Sequence, residues 1–143
     1  MMPQELQEEA VIEGNIYFFE KDASFGVPNH MHVCIKRAGR LLFFAVCSSQ
    51  INTARELSRR LGWDINTFPV YAANEKTNKF RESLTYVNCN RCYDIPVSDF
   101  VDLMKKGEVR LLQGVFTETD LQLITKGVLY STQVTRDVKK LFE

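Results

Sequence analysis

The feature that most constrains this chain is the run Arg40-Leu41-Leu42-Phe43-Phe44-Ala45-Val46-Cys47, which stops abruptly on Ser48, Ser49 and Gln50. An apolar run of this length, rich in aromatic residues, reads as a strand. Its end delivers two hydroxyls and an amide to the rim of a sheet, and rims are where small β domains carry binding and catalytic groups. No nucleophile motif, P-loop or dinucleotide fingerprint appears in the sequence. Function has to be read from smaller constellations.

The flanking segments supply partners for that strand. A turn signal at Gly14-Asn15 precedes Ile16-Tyr17-Phe18-Phe19. A loop containing Gly26 and Pro28 separates it from the alternating run His30-Met31-His32-Val33-Cys34-Ile35-Lys36, and Ala38-Gly39 makes a tight hairpin into the strand from Arg40. Thr53-Ala54-Arg55-Glu56 has the form of a capping box and predicts a helix over 53–61. Strands are predicted over 68–72, 84–89 and 109–112, and helices over 98–105, from Thr117-Glu118-Thr119-Asp120 onward, and within 134–142. Residues 1–13 read as an N-terminal tail or short helix, and 14–143 as a single α+β domain of mostly antiparallel strands with short helices and a C-terminal helical part.

At 143 residues, 45 % apolar and 25 % charged, the chain has the composition of one folded domain. Eighteen basic and 18 acidic residues cancel, so no uniformly basic surface exists, although a local patch survives the sum. No apolar segment precedes a cleavage site in residues 1–13, and no stretch approaches the roughly 18 apolar residues of a membrane span. The expected setting is the cytoplasm, with no membrane contact. Cys34, Cys47, Cys89 and Cys92 are then expected as free thiols.

His30 and His32 are the only histidines. Two residues apart on a strand, they share a face with Cys34. Their ordinary pKa near neutrality suits a general acid or base. Cleavage of RNA by its own 2′-hydroxyl needs such a base, an acid for the leaving oxygen and a cation for the phosphorane charge. Arg81, Lys79 and Arg91 are candidate cations, and Ser48 and Ser49 candidate hydroxyl donors. The polar, net basic stretch 74–81, with Lys76, Lys79 and interleaved Phe80, has the composition of a phosphate-contacting loop. Tyr86 and other rings sent outward from strands are candidates for stacking on unpaired bases. A different chemistry uses Cys89 and Cys92, a C-x2-C pair, with His30 and His32 as a tetrahedral zinc set.

Taken in order, five segments resemble the MazF/PemK/Kid family of type II toxin–antitoxin systems. These are Gly14-Asn15-Ile16-Tyr17-Phe18-Phe19, Asn29-His30-Met31-His32-Val33-Cys34-Ile35, Val46-Cys47-Ser48-Ser49-Gln50, Ser83-Leu84-Thr85-Tyr86-Val87-Asn88 and the stretch 114–131. Where that family usually carries an arginine at the start of the second strand, this chain has His30-Met31-His32. The resemblance implies a small SH3-like barrel and an endoribonuclease that cuts single-stranded RNA without metal or other cofactor. It also implies a homodimer held in check by an antitoxin protein. The family position that carries over is Ser48 or Ser49; with it, the residue chemistry makes His30, His32, Ser48, Ser49 and Arg81 the expected catalytic set, and Lys76, Lys79, Phe80 and Tyr86 the expected RNA-binding set. The alternative is a non-catalytic protein- or RNA-binding module on the same fold.

Overall fold

The structure, a computed structural model, describes residues 3–48, 70–74 and 84–143, with the backbone alone at 48, 70–74, 84–86 and 113–114. The helix expected over 53–61 lies outside the described residues. Seven strands form one antiparallel sheet: β1 (Asn15–Phe19), β2 (His30–Ala38), β3 (Leu41–Ser48), β4 (Val70–Asn74), β5 (Leu84–Asn88), β6 (Tyr93–Pro96) and β7 (Val109–Val115). Among the described residues four helices accompany them: α1 (Gln4–Glu9), α2 (Val97–Lys105), α3 (Glu118–Tyr130) and α4 (Arg136–Lys140).

The sheet order is β4-β5-β3-β2-β1-β7, with β6 also paired to β3. The α+β class and the antiparallel pairing agree with the sequence reading. Among the described residues the sheet stays open, with β4 and β7 at its two ends, whereas a barrel was expected. The reason lies in what covers it. A small barrel hides one face inside itself, but here helices and loops cover both faces.

Alternation along the strands divides the core in two. Ile16, Val33, Ile35, Phe43, Ala45 and Cys47 pack with Phe116, Ile124, Val128 and Phe142, so α3 and the C-terminal segment cover one face. Tyr17, Phe19, Cys34, Leu42 and Phe44 pack with Val11, Val97, Phe100 and Val101, so α2 and the N-terminal segment cover the other. Adjacent rings were expected to point one inward and one outward. Phe43 and Phe44 are instead 2 % and 0 % exposed, because both layers receive them. Burial of each such side chain favours folding by about 1.5–3 kcal/mol, which fixes β3 in the middle of the molecule.

Local chemistry explains the boundaries. The β2–β3 hairpin closes through Gly39 and Arg40, with Ala38 opposite Leu41 and Gly39 at φ +61°, a sign that only glycine adopts cheaply. The N-terminal segment, read as a tail or short helix, forms α1 and is docked from it onward. Val11 is fully buried, and the Arg37 guanidinium donates to the carbonyls of Glu8 (2.6 Å) and Val11 (2.9 Å). Thr117 caps α3: its Oγ1 accepts from the Asp120 N–H at 3.1 Å, and the Asp120 carboxylate accepts from the Thr117 N–H at 2.9 Å. Thr117→Ala should lower stability by about 1 kcal/mol, roughly 3 °C in Tm, read by thermal unfolding.

β6 is an element the sequence reading did not include. It continues the line of β5 along β3, since Cys47 faces Val87 and Phe44 faces Tyr93. Ala45 and Val46 are therefore opposed by residues 88–92, and the surplus forms a bulge that carries Cys89-Asn90-Arg91-Cys92.

Candidate functional site

The ladder gathers one row of residues across the sheet. Phe19 pairs with His30, Met31 with Cys47, Ser48 with Tyr86, and Tyr86 with Ala72. His30 begins β2 one residue before Met31, and Ser48 ends β3 one residue after Cys47. Three residues singled out from the sequence, His30, Ser48 and Tyr86, thus occupy neighbouring positions on three adjacent strands, about 5 Å apart along the row by antiparallel geometry. Ser49, Lys76, Lys79, Phe80 and Arg81 lie outside the described residues.

The two histidines part company. His30 is exposed, and its Nδ1 lies 3.0 Å from the Pro28 carbonyl. A carbonyl oxygen has no proton to give, so Nδ1 carries the hydrogen. Nε2 keeps an unused lone pair, with no partner among the described residues. His32 is fully buried. Its ring stacks on Phe19 (centroids 3.7 Å, 11° between planes) and meets the edge of Tyr93 at 5.9 Å. Its Nδ1 donates to the His30 carbonyl at 3.1 Å, and its Nε2 accepts the Val27 N–H at 3.1 Å. Burial pushes its pKa down to about 4, so at neutral pH the ring is uncharged and both nitrogens are occupied. The expectation that His32 joins His30 at the surface is corrected by this packing: His32 is a core residue.

The loop that leads to His30 is built around that core. Gly26, at φ +70°, passes so close that a Cβ there would stand 2.5 Å from the Phe19 ring and 2.9 Å from His32 Nε2. Phe25 packs against Phe19, Phe44 and Tyr93 at 5.9–6.2 Å. Ser24 anchors the loop through its N–H and Oγ–H, which donate to Glu108 at 2.8 and 2.7 Å and hold that carboxyl below its ordinary pKa. The Asn29 N–H donates to the Phe19 carbonyl at 2.7 Å.

The zinc alternative does not assemble. Cys89 and Cys92 pack into the α3 side of the core, whereas His32 stacks on Phe19 on the α2 side, with the sheet between them. No group of three or more His, Cys, Asp or Glu side chains among the described residues is arranged to hold a metal. None of the four cysteines forms a disulfide. Burial pushes Cys34 and Cys92 up to about 12 and raises Cys47 as well, so these side chains are protonated and act as small apolar groups.

Arg91, a candidate cation from the sequence, meets Tyr93 in this neighbourhood, a contact that only the fold reveals. Arg91, at the tip of the bulge, lies with its guanidinium carbon 4.6 Å over the Tyr93 ring. Tyr93 in turn abuts His32 and Phe25. The alternation Tyr93, Ile95, Val97 was the one sequence signal for the strand that presents them. Comparison with protein-family models, with curated proteins and with solved structures gives no match.

Proposed function

We propose that the chain is a toxin-like endoribonuclease of the MazF/PemK/Kid type, acting on single-stranded RNA at the His30 end of the sheet. One observation carries the reading: His30 stands in a row with Ser48 and Tyr86 and keeps its Nε2 without a partner among the described residues. In the proposed reaction that nitrogen takes the proton of a ribose 2′-hydroxyl. The freed oxygen attacks the adjacent phosphorus as the bond to the 5′-oxygen breaks; that oxygen takes a proton from water, whose hydroxide removes the proton from His30 Nε2, giving a 2′,3′-cyclic phosphate and a 5′-hydroxyl. Ser48 or Ser49 positions the phosphate, Arg81 stabilises the phosphorane charge, and Lys76, Lys79, Phe80 and Tyr86 contact the RNA.

The resemblance supports this reading, since its segments coincide with β1, β2, the end of β3, β5 and the β7–α3 junction. The reading takes the open sheet as the counterpart of that family's SH3-like barrel. A homodimer and an antitoxin partner belong to the same reading. Leu123, Tyr130 and Leu141, 44 %, 63 % and 39 % exposed, offer apolar surface for such contacts. A second reading, a non-catalytic RNA- or protein-binding module, is favoured by the burial of His32, because the reaction needs an acid as well as a base and only one imidazole is at the surface.

The deciding experiment incubates the protein with mixed-sequence single-stranded RNA in EDTA and maps the ends. Site-selective cuts ending in cyclic phosphate are expected. Intact RNA that the folded protein nevertheless retains would transfer the conclusion to the binding module. RNA neither cut nor bound would remove both RNA readings.

A further inference from the structure

The three cations that the reading above assigns, Lys76, Lys79 and Arg81, lie outside the described residues, yet the described ones contain another, Arg91. Arg91 is exposed. Its guanidinium lies face-on to Tyr93, and among the described residues it has no carboxylate or carbonyl partner. A guanidinium that spends its face on an aromatic ring keeps its N–H donors, which lie in the plane of the group, for another acceptor. Planar donors held this way match the fork geometry of a phosphate.

The arrangement is rigid from both ends. On the main-chain side, the Asn90 N–H and Nδ2 donate to Asn88 Oδ1 at 2.9 and 3.1 Å, which fixes the bulge. The Ser131 hydroxyl, fully buried just beyond α3, donates to Asn90 Oδ1 at 2.7 Å and ties the same bulge to the helical layer. On the ring side, Tyr93 meets His32 at 71° and Phe25 at 85°, both edge-on, and its backbone pairs with Phe44. An exposed arginine ordinarily loses considerable rotamer freedom when it binds an anion. Here much of that freedom is already gone.

The position also fits. Tyr93 touches His32, and His30 lies two residues before His32 on β2, about 7 Å along the strand and on the same face. Arg91 and His30 therefore lie on either side of buried His32 and half-buried Tyr93. Groups placed so suit neighbouring linkages of one strand.

We propose that Arg91, laid across Tyr93 at the tip of the β5–β6 bulge, binds a phosphodiester of single-stranded RNA next to the linkage that is cut at His30. The proposal rests on the RNA reading given above. Its signature is a loss of affinity without a loss of chemistry, because Arg91 holds a neighbouring phosphate and not the reacting one.

The test measures binding of a short unstructured RNA by fluorescence anisotropy at several salt concentrations, together with KM and kcat for cleavage, in the full chain and in Arg91→Ala, Arg91→Lys and Lys140→Ala. Arg91→Ala is expected to weaken binding and raise KM about tenfold, the usual worth of a charge-assisted hydrogen bond, with kcat within about twofold of the parent. The slope of log K against log salt should shrink by about 0.7, the value of one single-strand phosphate contact. Arg91→Lys should restore the slope, because it keeps the charge. Lys140→Ala, on the opposite layer, should match the parent. A parent that binds and cuts RNA while Arg91→Ala keeps its affinity and full salt slope would overturn the role of Arg91 alone. A parent that neither binds nor cuts RNA would overturn the RNA reading and this proposal with it.

Discussion

His30→Ala is expected to slow RNA cleavage by about 10²–10⁴-fold, the contribution of a positioned general base, while Tm stays within about 2 °C of the parent. The two halves of this expectation have separate causes. His30 is exposed and, among the described residues, its ring makes one hydrogen bond, to the Pro28 carbonyl, so its removal creates no cavity and strands no buried donor. The same side chain holds the nitrogen that has no partner among the described residues, in the row that includes Ser48 and Tyr86. His32→Ala, by contrast, should lower stability at least as much as activity. It empties a fully buried ring site between Phe19 and Tyr93 and leaves the Val27 N–H without its acceptor. The measurement is a rate and a melting curve on each variant. A folded His30→Ala that cuts RNA at the parent rate would take His30 out of the chemistry.

The sequence made the order of the elements legible wherever a local rule decides the conformation. Gly39 marks the β2–β3 turn, Thr117 with Asp120 marks the start of α3, and the apolar run of β3 ends at Ser48. What stayed hidden depends on contacts between distant segments. Phe43 and Phe44 look alike in the sequence, and nothing local says that two separate layers receive them. β6 is four residues long, ends on Pro96 and follows a bulge, so its period of two has little room to register. The candidate site divides in the same way. His30, Ser48 and Tyr86 were recognised by residue type, and strand register brings them together. His32 was recognised by the same criterion, but its role is decided by the approach of Gly26, Phe19 and Tyr93. Residue type alone cannot distinguish a reactive imidazole from a packed one.

Acid should reveal that second histidine as a stability group. Between pH 6.5 and 4 the protein is expected to lose about 3 kcal/mol of unfolding free energy through His32, at 1.36 kcal/mol per pKa unit. Burial is the main cause, because the charged form cannot be hydrated between Phe19 and Tyr93, and the pKa falls from 6.5 to about 4. The folded value lies below the unfolded one, so the contribution is fully present above about pH 6.5. It declines as the unfolded chain binds a proton that the folded chain refuses, and it levels off below about pH 4. Urea unfolding across this range checks it, with His32→Leu as the reference. That variant leaves the Val27 N–H unpaired and starts about 1–3 kcal/mol less stable, yet it has no imidazole to titrate. The gap between parent and variant should therefore narrow as the pH falls from 6.5 to 4. Glu108, the other group here with a lowered pKa, is held by Ser24 in both proteins and cancels in the difference. Parallel curves would show that His32 does not carry the acid limb. A narrowing gap would also bear on the site, because the bond that protonation breaks, Val27 N–H to His32 Nε2, holds the loop that delivers His30 to the rim.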